Sequence, residues 1–205
     1  MPTSPDAAFG DDVRLLVFDL DGTLVRFGID WSDVRARLQR ALETDDPLKP
    51  LLPSLETLDE GRRTRAYGLV DDVELAVART FAHDGDLVRT LECLRVGDRR
   101  VALVTLQGRR PAVEARARRG IGRFVDRIGT RDDTSDRGLQ IERCLAALGV
   151  GAGSTLVVAD RAADMAAARA LGCRTVVVGD RPGVVGDRRA DSVGELPAIL
   201  GSEGT

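Results

Sequence analysis

Four short apolar runs rich in β-branched residues recur along this 205-residue chain: VRLLVFD at 13–19, VALVT at 101–105, TLVVA at 155–159 and RTVVV at 174–178. Runs of this length and composition read as strands buried on both faces, the signature of a parallel sheet covered by helices on each side. The segments between the later runs have apolar residues at helical spacing. One helix is expected over 86–96, with Leu87, Leu91 and Leu94 on one face. Others are expected over 111–119, opened by Pro111, over 138–148, closed by Gly149, and over 162–171, closed by Gly172. A short strand is expected at 127–129, and a weak segment with Val193 and residues 195–200 closes the chain. Strands alternating with short helices predict an α/β fold, a doubly wound parallel sheet with right-handed crossovers. Residues 13–25 and 84–205 would form this core.

The alternation is interrupted once. From 26 to 83 the chain reads as helical, with Trp31, Val34, Leu38 and Leu42, then Leu51, Leu55 and Leu58, then Leu69, Val73, Leu75 and Val77 at helical spacing. Pro47, Pro50, Pro53, Gly61 and Gly68 are expected to break it into pieces. This predicts a small helical insert after the first strand, with Trp31 packed inside it and His83 in the loop that returns to the core. Residues 1–12, punctuated by Pro2, Pro5 and Gly10, read as a loose N-terminal tail.

Composition excludes several classes. A formal net charge of -3 and 3% aromatic residues leave neither a basic patch nor a stacking platform, so no nucleic-acid partner is expected. No stretch approaches 18 apolar residues, so no membrane span is expected, and the N-terminal segment lacks the basic and apolar regions of a signal peptide. Cys93, Cys144 and Cys173 are too few and too widely spaced for a disulfide framework or a metal cluster. They read as buried thiols of a cytoplasmic protein. Lys49 is the only lysine, so arginine must do the work that either cation could do.

The ends of the predicted strands carry the chemistry. Asp19 and Asp21 stand at the carboxyl end of the first run, followed by Gly22 and Thr23. Ligands of open α/β sheets bind beyond the carboxyl ends of the strands, and two carboxylates one residue apart there read as metal ligand, nucleophile or acid. A strand-ending Asp-Gly also reads as a turn or a cap. Thr105 ends the second run, and its hydroxyl can donate to a bound anion. Asp160 follows the third run, and Asp164 lies one helical turn later, facing the same side. These two read either as metal ligands or as helix-capping carboxylates.

The string FDLDGTL, with VVADRAAD at 157–164, resembles the first and fourth motifs of the haloacid dehalogenase-like (HAD) hydrolase superfamily. The resemblance spans residues 13 to about 180. An insert after the first strand, together with DGTLVRFGIDWSDVR, is similar to phosphoglycolate phosphatase-like members in which a helical cap closes over the site. The resemblance implies a Rossmann-like core and Mg²⁺-dependent hydrolysis of a small organic phosphate monoester through an aspartyl phosphate. It assigns Asp19 as nucleophile, Asp21 as acid and base, and Thr105 as a phosphate donor. The metal falls to Asp19, Asp21 (through its backbone carbonyl), Asp160 and Asp164. The family's conserved lysine finds its match in Arg137, with Arg131 the rival. The cap would hinge near Arg26 and His83.

This chain departs from the family pattern at Leu106 and Gln107, where asparagine often follows the threonine, at Gly138 for proline, and at Ala159 for glycine. Two alternatives stay open: a sugar phosphomutase of the same fold, and a non-catalytic binding or scaffold protein. The sequence leaves the substrate and the choice between monomer and homodimer undecided.

Overall fold

The computed structural model describes Phe9 and residues 12–201. The six strands are β1 (Leu15–Asp19), β2 (Arg100–Val104), β3 (Arg127–Gly129), β4 (Thr155–Ala159), β5 (Arg174–Val178) and β6 (Arg188–Ala190). They form one sheet in the order β3-β2-β1-β4-β5-β6, and every pairing is parallel. The order reverses at β1, so β1 and β4 lie side by side at the switch point where open α/β sheets bind ligands.

β1 shows why the apolar run is unbroken. Alternate side chains point to opposite faces of a strand. Leu16 and Phe18 enter one core with Leu87, Leu91 and Leu94 of α4 (Gly85–Leu94), Ala112 and Ala115 of α5 (Arg109–Arg118), and Leu196 of α8 (Leu196–Ile199). Leu15 and Val17 enter the other, with Ile141 and Cys144 of α6 (Arg137–Leu148) and Ala168 of α7 (Ala162–Ala170). Both faces are covered, so neither register position can be polar. Aspartates start the helices that return to the sheet: Asp84 accepts from the Leu87 N–H and Asp136 from the Leu139 N–H, each satisfying an otherwise unpaired donor.

Between β1 and α4 lie α1 (Trp31–Leu42), α2 (Leu51–Glu56) and α3 (Glu60–Ala78). Val34, Leu38, Leu42, Leu48, Leu55, Ala66 and Val70 form a core of their own. The break expected at Gly61 falls just before it, between α2 and α3, and the one expected at Gly68 does not occur; α3 runs through that glycine. It is held from two sides, since Ala66 and Val70 join the small core while Val77 and Ala78 pack into the main one. That packing outweighs the roughly 1 kcal/mol that a helical glycine costs.

Two further expectations change. β6 is an additional edge strand, and Cys93 is exposed on α4, whereas Cys144 and Cys173 are buried as expected. Most of the N-terminal tail lies outside the described residues. Within it, Phe9 donates its N–H to the Ile199 carbonyl at 3.2 Å, and Arg174 pairs with Asp12. Among the described residues no helix is long and apolar enough to cross a membrane.

Candidate active site

Asp19 is the last residue of β1, and Asp160 follows β4 directly, so the switch point sets their carboxylates side by side. Asp164 lies in the first turn of α7, on the face toward both. One carboxylate oxygen from each of Asp19, Asp160 and Asp164 lies within 4.8 Å of the other two, and all three residues are buried. The chain after Asp19 bends at once: Gly22 donates to the Val25 carbonyl at 2.7 Å, with φ at +93°. A Cβ at Gly22 would lie 2.5 Å from Asp160 Oδ2, so the turn needs glycine for both its backbone angle and its close approach.

One arginine reaches this cluster from below. Arg137, the first residue of α6, donates from Nη2 to Asp19 Oδ1 at 2.9 Å and from Nε to Asp164 Oδ1 at 2.7 Å. Arg131 is spent elsewhere. Its fork donates to Glu74 Oε1 and Oε2 at 3.0 Å each and to the Leu106 carbonyl at 2.7 Å, and it also pairs with Asp71. Of the two arginines suggested by the sequence, Arg137 therefore meets the strand-end carboxylates. Arg131 ties α3 to the core.

Burial pushes the Asp19 carboxyl up to about 7, with Arg137 pulling it down and Asp164 and Asp160 pushing it further up. Two buried oxygens, Asp160 Oδ1 and Asp164 Oδ2, have no hydrogen-bond partner. Unsatisfied buried carboxylate oxygens are costly, and three carboxylates converging form an all-oxygen donor set suited to a hard divalent cation. The residues present thus fit a metal ion.

The remaining candidates surround the cluster. Asp21 stays outside it, 20% exposed, accepting from the Phe27 N–H at 2.9 Å. Thr105 is fully buried beyond β2; its hydroxyl donates to Gln107 Oε1, and the Gln107 N–H donates back at 3.2 Å. The expected asparagine position holds Leu106, while the amide of Gln107 takes up the threonine hydroxyl. Ala159 is buried in a small cluster with Met165, Val177 and Val184.

Sequence reasoning missed four contributors. Arg161, half exposed, lies 3.6 Å from Asp160 and 3.9 Å from Asp21. Arg181 donates to Asp160 Oδ2 at 2.6 Å. Gln140 accepts from Arg137, and Glu74 neutralises Arg131. Adjacency to Asp160 was a signal for Arg161, and three-residue helical spacing from Arg137 was one for Gln140. Arg181 and Glu74 come from distant segments and left none.

Above the cluster opens a cavity of about 320 Å³. Asp19, Asp21, Arg137 and Arg161 line its floor. Trp31, Pro50 and the start of α2 at Leu51, Leu52 and Pro53 also line it, as do Glu74, Leu106, Gln107 and Arg131.

Comparison with known proteins agrees with this fold. Residues 69–178 match the family model described as haloacid dehalogenase-like hydrolase. Among curated protein sequences none matches. Similar solved structures include a haloacid dehalogenase-like hydrolase from Streptococcus pneumoniae, at 18% identity and TM-score 0.69, covering 92% of this chain and 99% of that one. A predicted phosphoglycolate phosphatase from Haemophilus somnus superposes at 16% identity and TM-score 0.70, covering 92% and 98%. CbbY from Rhodobacter sphaeroides, solved with phosphate, does so at 18% and 0.69, covering 92% and 99%. These likenesses carry the fold, and the family model spans more than half the chain. By that match, the chain belongs to the haloacid dehalogenase-like hydrolases.

Proposed function

We propose that this protein is a Mg²⁺-dependent phosphatase acting on a small organic phosphate monoester. The observation that carries this reading is the buried convergence of Asp19, Asp160 and Asp164, two of them with an unpartnered oxygen, beneath a cavity open to a small molecule. Asp19, Asp160 and Asp164, with the Asp21 backbone carbonyl that the family resemblance adds, would hold the ion. When bound, it neutralises the repulsion between phosphate and carboxylate and supports charge on the transferring phosphoryl oxygens.

The chain's own residues divide the remaining work. An oxygen of Asp19 attacks phosphorus in line with the ester oxygen, and the phosphorus–ester bond breaks as the aspartyl phosphate forms. Asp21, nearer solvent than Asp19, donates its proton to the departing alcohol. It then takes a proton from the water that attacks phosphorus, which releases phosphate and restores the Asp19 carboxylate. Arg137 favours the ionised form of Asp19 against the effect of burial and holds its carboxylate in place. The family resemblance gives Thr105 the role of phosphate donor; its buried hydroxyl is held by Gln107, which lines the cavity and would pass that contact on.

The helical unit over 26–83 serves as the cap. Its apolar lining of Trp31 and residues 50–53 excludes water from the leaving group. Because Glu74 and Arg131 neutralise each other, a phosphoglycolate-like leaving group would set its carboxylate against Arg161, and a neutral alcohol would need no such partner. CbbY was solved with phosphate, and the phosphatase reading follows the same ligand chemistry. Some neighbours are dehalogenases, among them the L-2-haloacid dehalogenase from Xanthobacter autotrophicus. Displacing a halide from carbon needs a carboxylate nucleophile but gives no use to three converging buried carboxylates.

The test is phosphate release across a panel of phosphate monoesters, phosphoglycolate and neutral-alcohol esters included, with Mg²⁺ and with chelator. Turnover should vanish in chelator and in Asp19→Asn. Undiminished turnover in either sinks the reading.

A further inference from the structure

Gln140 makes three hydrogen bonds from a side chain that is 1% exposed. Its Nε2 donates to the Thr105 carbonyl at 3.0 Å and to the Thr134 carbonyl at 2.8 Å, and its Oε1 accepts from Arg137 Nη1 at 3.0 Å. The amide can face only one way. Both carbonyls accept and cannot donate, while a guanidinium donates and cannot accept. The nitrogen must turn to the carbonyls and the oxygen to Arg137.

This matters because of what Arg137 is. A guanidinium is a plane with donors on fixed edges, unlike the point charge of an ammonium. Nε is taken by Asp164 and Nη2 by Asp19, and those two bonds leave Nη1 pointing into a buried space that needs an acceptor. Gln140 supplies it from one helical turn along α6. Its other two bonds tie the same amide to the backbone that leaves β2 at Thr105 and to the loop that leads into α6. The β-carbon and γ-carbon of Gln140 lie against Gly129, 3.6 and 3.8 Å from where a Cβ would stand there, so the amide has little room to rotate away.

We propose that Gln140 is a positioning residue that fixes the plane of Arg137. It thereby couples the cation on Asp19 to the strand end carrying Thr105. The proposal rests on the phosphatase reading only for its kinetic consequence. The planar fork of an arginine fixes where its remaining donors point, and Gln140 meets them; the ammonium of a lysine turns about its own bond and has no plane to fix.

The experiment compares Gln140→Met, Arg137→Lys and the double variant with the unaltered protein. Gln140→Met keeps the side-chain volume and removes all three bonds. With p-nitrophenyl phosphate and Mg²⁺, Gln140→Met should lower kcat at least tenfold and change KM less than twofold. In the Arg137→Lys background the same substitution should change kcat less than twofold, while thermal unfolding shows the same loss of stability in both backgrounds. An equal loss of kcat in both backgrounds overturns the proposal, because it marks a purely structural effect.

A second measurement is independent of turnover. ¹⁵N NMR of the Arg137 side chain should show resolved, slowly rotating Nη groups in the unaltered protein and averaged ones in Gln140→Met. Gln140→Asn keeps the amide, withdraws its oxygen from Nη1 by one methylene and covers the case in which the methionine variant does not fold: the Nη groups should again average. Unchanged Nη signals in Gln140→Met or in Gln140→Asn overturn the proposal. If the unaltered protein hydrolyses no phosphate ester, the phosphatase reading fails, and the NMR arm alone still decides the role of Gln140.

Discussion

Arg131 offers the sharpest test of how the cavity wall is built. Its side chain is 3% exposed and that of Glu74 is 1% exposed, so neither charge reaches water. Arg131→Met would remove both bonds to Glu74, the bond to the Leu106 carbonyl and the pairing with Asp71. Asp71, 20% exposed, can turn to solvent. Glu74 cannot, and keeps only the Gly108 N–H at 3.1 Å. Breaking a buried pair from one side costs about 3–5 kcal/mol. For a chain of this size that corresponds to a fall in Tm of roughly 6–20 °C, at about 2–4 °C per kcal/mol. The cost should depend on pH in a definite direction. Burial already raises the Glu74 pKa, with Arg131 the largest opposing influence; removing Arg131 raises it further. A carboxyl with a raised folded-state pKa binds its proton more tightly in the native state. Its contribution is favourable below the unfolded value of 4.5 and is lost as pH climbs through the folded value. The deficit of Arg131→Met should therefore be larger at pH 8 than at pH 5. Urea unfolding followed by far-UV circular dichroism at both pH values measures it. Glu74→Met/Arg131→Met, which removes both charges, should recover most of the loss. A deficit below about 1 kcal/mol, the range of solvent-exposed pairs, would refute the argument. So would a double variant no better than the single one.

Three other outcomes follow from the geometry. If Asp19, Asp160 and Asp164 hold a divalent ion, Mg²⁺ at about 100 times its Kd should stabilise the fold by about 2.7 kcal/mol, and Asp160→Asn/Asp164→Asn should abolish that shift in a calorimetric scan. Gly22→Ala forces a Cβ against Asp160 Oδ2 at a backbone angle that costs an L-residue about 1–2 kcal/mol; the expected result is a loss of Mg²⁺-induced stabilisation larger than the loss of basal stability. Burial pushes the Cys144 and Cys173 thiols up to about 11, so at pH 8 a disulfide reagent should titrate Cys93 alone until denaturant is added.

What the sequence disclosed and what it concealed follow from where each signal originates. The runs at β1, β2, β4 and β5 are legible because both faces of a central parallel strand are buried, leaving no polar position to blur the pattern. β6, with the sequence Arg188-Arg189-Ala190, pairs with β5 alone and needs only Ala190 inside. It carries no apolar signature. α3 reads as broken because Gly68 interrupts its pattern, and packing into two cores overrides that local signal. Asp19, Asp160 and Asp164 could be placed together from strand ends alone, since parallel strands deliver their carboxyl ends to one edge. The preference for Arg137 over Arg131 rests on the family resemblance, and its physical ground has no local mark in the chain. That ground is the pairing of Arg131 with Asp71 and Glu74, which lie more than 50 residues from it.

The charges at the switch point argue for what completes the site. Three buried carboxylates bring three formal negative charges, and Arg137 is the buried cation that enters among them, bonded to Asp19 and Asp164. Arg161 and Arg181 touch Asp160 from half-exposed positions, and a long arginine side chain can withdraw to water with its charge solvated. Subtracting Arg137 leaves two uncompensated charges on oxygens at mutual ligand distance, two of which have no donor. Desolvation makes such a remainder costly, which is the physical content of the raised Asp19 pKa. A monovalent ion would leave the deficit half filled, and a softer metal would find no nitrogen or sulfur ligand among the three. A hard divalent cation would match the remainder in charge and in ligand type.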